Sequence, residues 1–288
     1  MKYRTHKLEN GLTILAEVND SAYFAGYGFF VRTGARDESP EIAGVSHFLE
    51  HMVFKGTERR TAEQVNRELD DLGSSSNART GEESTIYHAS VLPEFQGQVV
   101  DLLCDIMRPS LRVNDFETEK KVIIEEIMMY QDQPPYGGHE RLLASYFGNH
   151  PLGQSVLGTV DTVSGLSASQ MMEYFHRQYS PGNMALVAAG NVDFDRLVDD
   201  ATRHCGGWEP FEVHRDTRHA DVSLDFDSMV KEQSAANTSC RCHPAQRPMT
   251  LIDMRCGSST PFWAMMGKPF VLGIAGFGAC RVGSHRQL

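Results

Sequence analysis

Hydrophobic and polar positions in the first part of the chain predict strands followed by a helix. Residues 6–17 (HKLENGLTILAE) are expected to form a β-hairpin, because Asn10-Gly11 is a strong two-residue turn signal between two strands. Residues 23–33 (YFAGYGFFVRT) are rich in aromatic and small residues and predict a buried strand. A loop punctuated by glycine and proline then leads into an apolar helix over 43–54.

The pattern continues as mixed helices and strands as far as residue 210. The segment 61–72 predicts an amphipathic helix, in which Thr61 is the N-cap and Gln64 occupies the capping-box position. Further helices are expected over 94–107, 114–131, 167–179 and 193–205, and strands over 84–92 and 184–190. Pro134-Pro135 is expected to end the helix over 114–131. Such a mixture predicts an α+β fold, in which helices cover a mostly antiparallel sheet.

Composition narrows the class of protein without identifying a function. The chain is 41% hydrophobic and 23% charged, as expected of a globular protein. Its net charge of -11 argues against nucleic acid and anionic membranes as partners. No apolar run reaches the length of about 18 residues that a transmembrane helix needs. The N-terminus lacks the apolar stretch of a signal peptide, so we expect a cytoplasmic protein in which Cys104 and Cys205 are reduced and buried.

The composition changes near residue 235. Residues 235–288 contain five arginines and one lysine against one aspartate, a net charge of +5, which leaves -16 for residues 1–234. Four of the six cysteines also lie in this tail. Cys240 and Cys242 form a C-x-C pair and not the C-x-x-C spacing of structural zinc sites, so the tail is not expected to bind zinc.

The candidate chemistry lies in the first predicted helix, in the motif His47-Phe48-Leu49-Glu50-His51. Positions i and i+4 share one helix face, so His47 and His51 can present imidazole nitrogens to a single metal ion. Glu50 lies on the adjoining part of that face, within reach of a metal-activated water without being a ligand. Taken alone, two histidines four residues apart also suit an ordinary helix, so the motif needs structural context.

The predicted helix 114–131 offers a carboxylate as third ligand, which a catalytic zinc with two histidine ligands requires. Glu119 and Glu126 are seven residues apart and share a helix face, whereas Glu125 points about 100° away. The alternative interpretation is a solvated acidic face. Apolar residues lie between the two carboxylates, which favours a partly buried face.

Three segments in this order resemble the pitrilysin/insulinase family of metallopeptidases, whose inverted zinc motif is H-x-x-E-H. The resemblance is strongest to members like the mitochondrial processing peptidase and to short bacterial members, and it runs over residues 1–210. The segments are GVSHFLEHMVFKGTERRTA at 44–62, GSSSNARTGEESTIYHASVL at 73–92 and EKKVIIEEIMMYQDQP at 119–134.

The resemblance implies one zinc ion per chain. It implies that His47, His51 and Glu126 are the zinc ligands, with 74 residues between the last two. Glu50 is the implied general base. Glu119 is implied to support the site without being a ligand, as a carboxylate that fixes the tautomer of a ligand histidine.

The resemblance also implies how a substrate binds and how the chain is divided. Asn77-Ala78 matches the family's substrate-binding edge strand, to which an extended peptide adds by β-augmentation, although Asn77 alone would be an ordinary turn residue. Family members usually pair two homologous halves. We therefore expect a zinc-binding peptidase domain over 1–215, a linker over 216–234 and an atypical tail over 235–288.

Two functional hypotheses follow from these features. The leading one is a zinc metalloendopeptidase domain that hydrolyses peptides or unfolded segments with metal-activated water. The alternative is a catalytically incomplete half that binds metal and peptide, and that is inactive alone or acts as a subunit beside a partner chain. The second half of the family contributes an arginine and a tyrosine that hold the substrate, and no counterpart of this pair is found in the sequence.

A frameshift near residue 235 is our hypothesis for the tail. Methionine and tryptophan have single codons, which constrains a shifted reading frame through 262–267 (FWAMMG). In the frame that starts at the third base of each codon, this segment gives Leu-Gly-x-Asp-Gly. The same frame through 247–255 permits Ala-Asp-Asp-Pro-Tyr-Arg-Tyr-Ala. Both resemble the opening of the family's second half.

We predict that sequencing the coding DNA finds a family-like second half in the shifted frame. An uninterrupted second half in the current frame, or nothing family-like in the shifted one, would refute the hypothesis.

Overall fold

A six-stranded sheet forms the centre of the fold in the computed structural model, which describes residues 2–132, 136–220, 237–241 and 281–285. The order of its strands is β1-β2-β6-β3-β5-β4, and of these pairs only β2–β6 is parallel. The predicted α+β fold with a mostly antiparallel sheet is confirmed. The strands are β1 (Lys2–Lys7), β2 (Thr13–Val18), β3 (Ala25–Val31), β4 (Ser75–Thr80), β5 (Thr85–Val91) and β6 (Met184–Gly190).

The described α-helices include every helix that the pattern predicts, each within two residues of its predicted ends. They are α1 (Val45–Val53), α2 (Ala62–Asp71), α3 (Gln96–Ile106), α4 (Val113–Asp132), α5 (Tyr136–Phe147), α6 (Val160–Gly165), α7 (Ala168–Gln178) and α8 (Phe194–Cys205). Two of them were not predicted. α5 has Gly137-Gly138 in its first turn, and glycine is a poor helix former, while α6 is too short to show a helical period. Pro134-Pro135 lies outside the described residues, so its role in ending α4 stays a prediction.

The first hairpin differs from its prediction at the turn. The Leu8 amide donates to the Leu12 carbonyl at 2.9 Å, so three residues join the strands and not two. Gly11 has a φ of 93°, a conformation that glycine adopts readily in such three-residue loops. The side chain of Asn10 makes bonds on both sides: its Oδ1 accepts from the Leu12 amide at 3.2 Å, and its Nδ2 donates to the Cys205 carbonyl at 2.8 Å. These bonds stabilise the three-residue loop and join it to the C-terminus of α8, a contact that the local sequence pattern does not contain.

The helices cover one face of the sheet and enclose the hydrophobic core. Alternation along β5 shows this most clearly, because Tyr87 and Ala89 are buried while the residues between the buried positions are half-buried. Apolar side chains of α1, α3, α7 and α8 complete the same cluster and include Phe48, Leu102, Phe175 and Leu197. The sheet therefore provides a rigid platform against which α1 is packed.

The chain divides into two compact units. The first comprises Met1–Met128 and Gln154–His219 and contains the sheet and its core. The second comprises Met129–Gly153 and Ala220–Leu288, and in its described part β7 (Asn237–Arg241) pairs antiparallel with β8 (Arg281–His285). The sequence pattern predicts neither strand. The domain boundaries expected at residues 215 and 234 stay predictions. A small apolar cluster in the second unit contains Tyr146, Phe147 and Leu152.

The two isolated cysteines lie in the core, as their sequence context predicts. Cys104 and Cys205 are buried and unbridged, with their Sγ atoms 3.2 Å apart. Burial raises the pKa of the Cys104 thiol, because the thiolate would lose its hydration. Within the described ranges, no helix is both long enough and apolar enough to cross a membrane.

We predict that Asn10→Ala lowers the free energy of unfolding by about 1–3 kcal/mol, because it leaves the Leu12 amide without its partner and removes the hydrogen bond from Asn10 to the Cys205 carbonyl. Urea unfolding of the purified chain measures the change. Asn19→Ala is the matched control, since Asn19 makes a local bond to the Ser21 amide, and it should cost less than about 0.5 kcal/mol. Equal effects of the two substitutions would contradict the structural role of Asn10.

Candidate metal centre

Helix α1 presents two histidines at the edge of the core. His47 and His51 lie one turn apart, with ring centroids separated by 4.9 Å. His47 is 7% exposed, whereas His51 is half-buried. The opposite face of the helix is fixed in the core by the burial of Val45, Phe48, Leu49 and Met52. The sequence thus places both imidazoles on a helix whose rotation is set by apolar packing.

Helix α4 brings a carboxylate to these histidines from a distant part of the sequence. Phe116 of α4 stacks on Phe48 of α1, with ring centroids 4.6 Å apart and 17° between the ring planes. Farther along α4, the Oε2 of Glu126 lies 3.8 Å from the Nε2 of His47 and 3.5 Å from the Nε2 of His51. The structure therefore brings together the three side chains that the sequence predicts as ligands.

The spacing of these three ligand atoms fits one zinc ion. Two ligands about 2.0–2.1 Å from a tetrahedral ion lie about 3.3 Å from each other. The two distances to Glu126, 3.5 and 3.8 Å, are close to this value, and all three ligand atoms lie within 4.8 Å of one another. Two imidazoles and one carboxylate are a donor set of catalytic zinc sites, which keep a fourth position for water or substrate. The residues present therefore fit the ion that the resemblance implies.

Glu119 of α4 orients His51 from the side away from Glu126. Its Oε1 lies 2.9 Å from the Nδ1 of His51, and its Oε2 lies 2.6 Å from the Nζ of Lys55. Burial raises the pKa of this carboxyl, but the bonds to His51 and Lys55 outweigh burial, and the pKa is lowered overall. Ionised Glu119 favours the proton on Nδ1 of His51, which leaves Nε2 as the metal-facing nitrogen. Glu119 makes the contact with a ligand histidine that the resemblance implies, and its supporting role stays a prediction; the contact of Lys55 was not predicted.

The two histidines differ in their surroundings. Burial, with the nearby His51, lowers the pKa of His47 to about 3, so its imidazole is neutral at neutral pH and its lone pair is available to a metal. For His51, burial also acts to lower the pKa, but the hydrogen bond to Glu119 and the charge of Glu126 outweigh it and raise the pKa. The Nδ1 of His47 is buried and has no hydrogen-bond partner in residues 2–132 and 136–220.

Glu50 lies next to the ligand cluster and contacts the edge of the sheet. Its Oε2 accepts a hydrogen bond from the hydroxyl of Thr80, the last residue of β4. Burial raises the pKa of Glu50, and the bond from Thr80 opposes the rise without cancelling it. A carboxyl with a raised pKa is better matched to proton transfer near neutral pH. Thr80 was not predicted, although strand alternation places it on the same face as Ala78 and could have identified it.

Strand β4 is an edge of the sheet, as the resemblance implies. It pairs with β5 and lies at the end of the strand order. Asn77 is exposed, and its Oδ1 accepts a hydrogen bond from the Ala78 amide at 2.8 Å, while Ala78 is half-buried against the core. The strand runs beside α1 and reaches Glu50 through Thr80. The role of Asn77 and Ala78 in binding a substrate stays a prediction.

Two protein-family models match the chain. The model described as insulinase (peptidase family M16) matches residues 13–160, a range that contains His47, His51 and Glu126. The model described as peptidase M16 inactive domain matches residues 165–238. The second match ends close to residue 235, where the composition of the chain changes.

Relatives of similar sequence are named zinc proteases. The chain is 36% identical over 207 residues to the uncharacterized zinc protease YmxG of Bacillus subtilis (strain 168). This alignment covers 72% of the present chain and 50% of YmxG. The chain is also 38% identical over 196 residues to an uncharacterized zinc protease of Streptomyces coelicolor. That alignment covers 68% of the present chain and 43% of the relative. The chain thus spans about half the length of these relatives.

Solved structures share the fold. A protease from Helicobacter pylori matches with a TM-score of 0.72 at 21% identity, covering 77% of this chain and 54% of that one. Pitrilysin matches with a TM-score of 0.69 at 22% identity, covering 77% of this chain and 24% of that one. At this level of identity, the likeness supports the arrangement of sheet and helices.

We predict that Glu119→Gln weakens zinc binding by about 10- to 100-fold, because glutamine cannot hold His51 and Lys55 as a carboxylate does. Competition against a chromophoric chelator measures the zinc Kd. Glu117→Gln is the matched control, because Glu117 is on the same helix but is 58% exposed and pairs with Lys120. A wild-type Kd for Glu119→Gln would show that Glu119 does not support the site.

Proposed function

The chain belongs to the insulinase family, peptidase family M16, and from this membership we propose that it is the zinc-binding, catalytic half of a metalloendopeptidase. One observation carries the proposal: His47, His51 and Glu126 place their ligand atoms within 4.8 Å of one another. We assign one zinc ion per chain to these three residues. The proposed substrates are peptides or unfolded protein segments.

Glu50 is the proposed general base. A bound zinc ion supplies Lewis-acid chemistry, which activates water and polarises the scissile carbonyl. Glu50 takes a proton from the attacking water and later delivers it to the leaving amine. Its raised pKa suits both transfers, and the Thr80 hydroxyl holds the carboxylate in place. Glu119 acts through His51, whose tautomer it sets.

Strand β4 is the proposed binding edge for the substrate. An extended peptide can add to a strand at the edge of a sheet through main-chain hydrogen bonds, and β4 has this position. Asn77 and Ala78 lie in the middle of the strand, while Thr80 at its end contacts Glu50. A peptide paired with β4 therefore extends toward Glu50, the proposed base. Main-chain recognition depends on extended shape more than on side chains, which favours broad sequence specificity.

A second candidate function is a catalytically incomplete half that requires a partner. The chain spans about half the length of its curated relatives, and the match to the inactive-domain model ends at residue 238. In this case the chain binds zinc and peptide, but cleavage needs a second homologous half, on the same polypeptide or on a partner subunit. The same residues bind zinc under both candidates, so only a cleavage assay separates them.

We predict that Glu50→Gln keeps the zinc content of the wild type and lowers peptide cleavage by about 10²- to 10⁴-fold, because an amide cannot accept the proton of water. Metal content and hydrolysis of an unstructured peptide are measured on the same sample. Glu63→Gln, at an exposed position of α2, is the control and should match the wild type in both. Undiminished cleavage by Glu50→Gln would show that Glu50 is not the base.

The wild type in the same assay decides between the two candidates. Zinc binding with cleavage supports the metalloendopeptidase, whereas zinc binding without cleavage favours the incomplete half. His51→Ala should lose zinc under both candidates. Full retention of zinc by His51→Ala would contradict the metal centre itself.

A further inference from the structure

The N-terminus of α1 has no capping side chain of its own. The N-cap residue is Gly44, with a φ of 94°, a left-handed conformation that favours glycine. A Cβ at this position would lie 2.5 Å from the Leu157 carbonyl oxygen, so the close approach of the 157–158 backbone also excludes a side chain. The first amides of a helix need acceptors. For α1 these must come from elsewhere in the fold.

Glu38 supplies these acceptors from the preceding loop. Its Oε2 accepts a hydrogen bond from the Gly44 amide and its Oε1 accepts one from the Ser46 amide, each at 2.7 Å. Both carboxylate oxygens are thus used at the start of α1, where a negative charge also interacts favourably with the helix dipole. Glu38 is only 5% exposed. Burial of such a carboxyl is costly, and these two bonds offset the cost.

The loop that carries Glu38 is itself held in place. The neighbouring Asp37 receives hydrogen bonds from the Gly34 amide at 3.0 Å and from the Nε of Arg215 at 2.8 Å. On the helix side, the Ser46 hydroxyl and the Tyr174 hydroxyl are 2.7 Å apart within the buried core. The contact between Glu38 and α1 is therefore made between two fixed segments.

His47 depends on this contact more than His51 does. The ring of His51 is oriented by Glu119 at 2.9 Å, whereas the Nδ1 of His47 is buried and lacks a hydrogen-bond partner in the described ranges. The direction of the His47 ring is therefore set by the backbone of α1 and by packing. His47 follows Ser46 directly, so the Glu38 bond is made one residue from this ligand.

We propose that Glu38 is a positioning residue for the metal centre, which fixes the first turn of α1 and thereby the Nε2 of His47 toward Glu126. This inference rests on the proposed function, because it assumes that His47 is a metal ligand. Glu38 does not touch the metal or the substrate. Its loss should change the geometry and affinity of the site without removing any ligand.

The test compares Glu38→Gln with Glu41→Gln, an exposed glutamate in the same loop. Glutamine keeps the size of the side chain, but its NH₂ group cannot accept a bond from an amide. We expect Glu38→Gln to raise the zinc Kd by roughly tenfold or more and to alter the visible absorption spectrum of the Co²⁺-loaded chain, while Glu41→Gln changes neither. Measurements are made at pH 8, because burial raises the pKa of Glu38 to about 7 despite its bonds to Ser46 and Gly44.

A folded Glu38→Gln chain with wild-type zinc Kd and Co²⁺ spectrum would overturn the inference, even if its melting temperature falls, since Glu38 would then be a structural cap only. If Glu38→Gln does not fold, Glu38→Asp decides by the same two readouts. Aspartate keeps the charge but is one methylene too short for both amides, so unchanged values would again overturn the proposal. His51→Ala separates a failure of the proposed metal centre from a failure of the Glu38 inference. If His51→Ala leaves the zinc affinity unchanged, the assignment of the metal centre is wrong, whatever the result for Glu38→Gln.

Discussion

The packing of α1 against α4 is the constraint on which the candidate site depends. The candidate ligands are divided between these helices, and the stack of Phe48 on Phe116 joins the two helices in the core. A stacked aromatic pair contributes about 0.5–1.5 kcal/mol beyond the area it buries, and it also fixes the distance between the helices. Any shift at this contact would carry Glu126 away from His51 and His47. The apolar core therefore determines whether three polar side chains can share one ion.

The polar groups around the site each hold one functional atom. Glu119 holds His51, the Thr80 hydroxyl holds Glu50, and Lys55 balances the charge of Glu119. Buried carboxylates are costly unless they are hydrogen-bonded, and here the bonds that offset the cost also orient the groups needed for proton transfer and metal binding. Stability and chemistry are therefore served by the same contacts, in which Glu119 lies on a helix, Thr80 on a strand and Lys55 in the turn that follows α1.

Local periodicity made most of the fold predictable from sequence, and it placed the candidate ligands on shared helix faces, while their assignment as ligands came from the family resemblance. His47 and His51 are one helical turn apart, and Glu119 and Glu126 are two turns apart, so each pair could be recognised within its own helix. That the two helices meet came from the family resemblance. Lys55 was missed because its role depends on a tertiary neighbour, and although strand alternation gives the face of Thr80, its contact with Glu50 also depends on tertiary packing. The two-residue turn at Asn10 was wrong, and the bond from that side chain to the end of α8 is likewise a tertiary contact.

Diffraction at the zinc absorption edge, from crystals of the zinc-loaded chain, tests the central claim most directly. One anomalous peak is predicted, about 2.0–2.2 Å from the Nε2 atoms of His47 and His51 and from a carboxylate oxygen of Glu126. The cysteines of the tail offer the competing chemistry, with zinc–sulfur distances of about 2.3 Å. A peak bound by those sulfurs, with none between α1 and α4, would contradict the account.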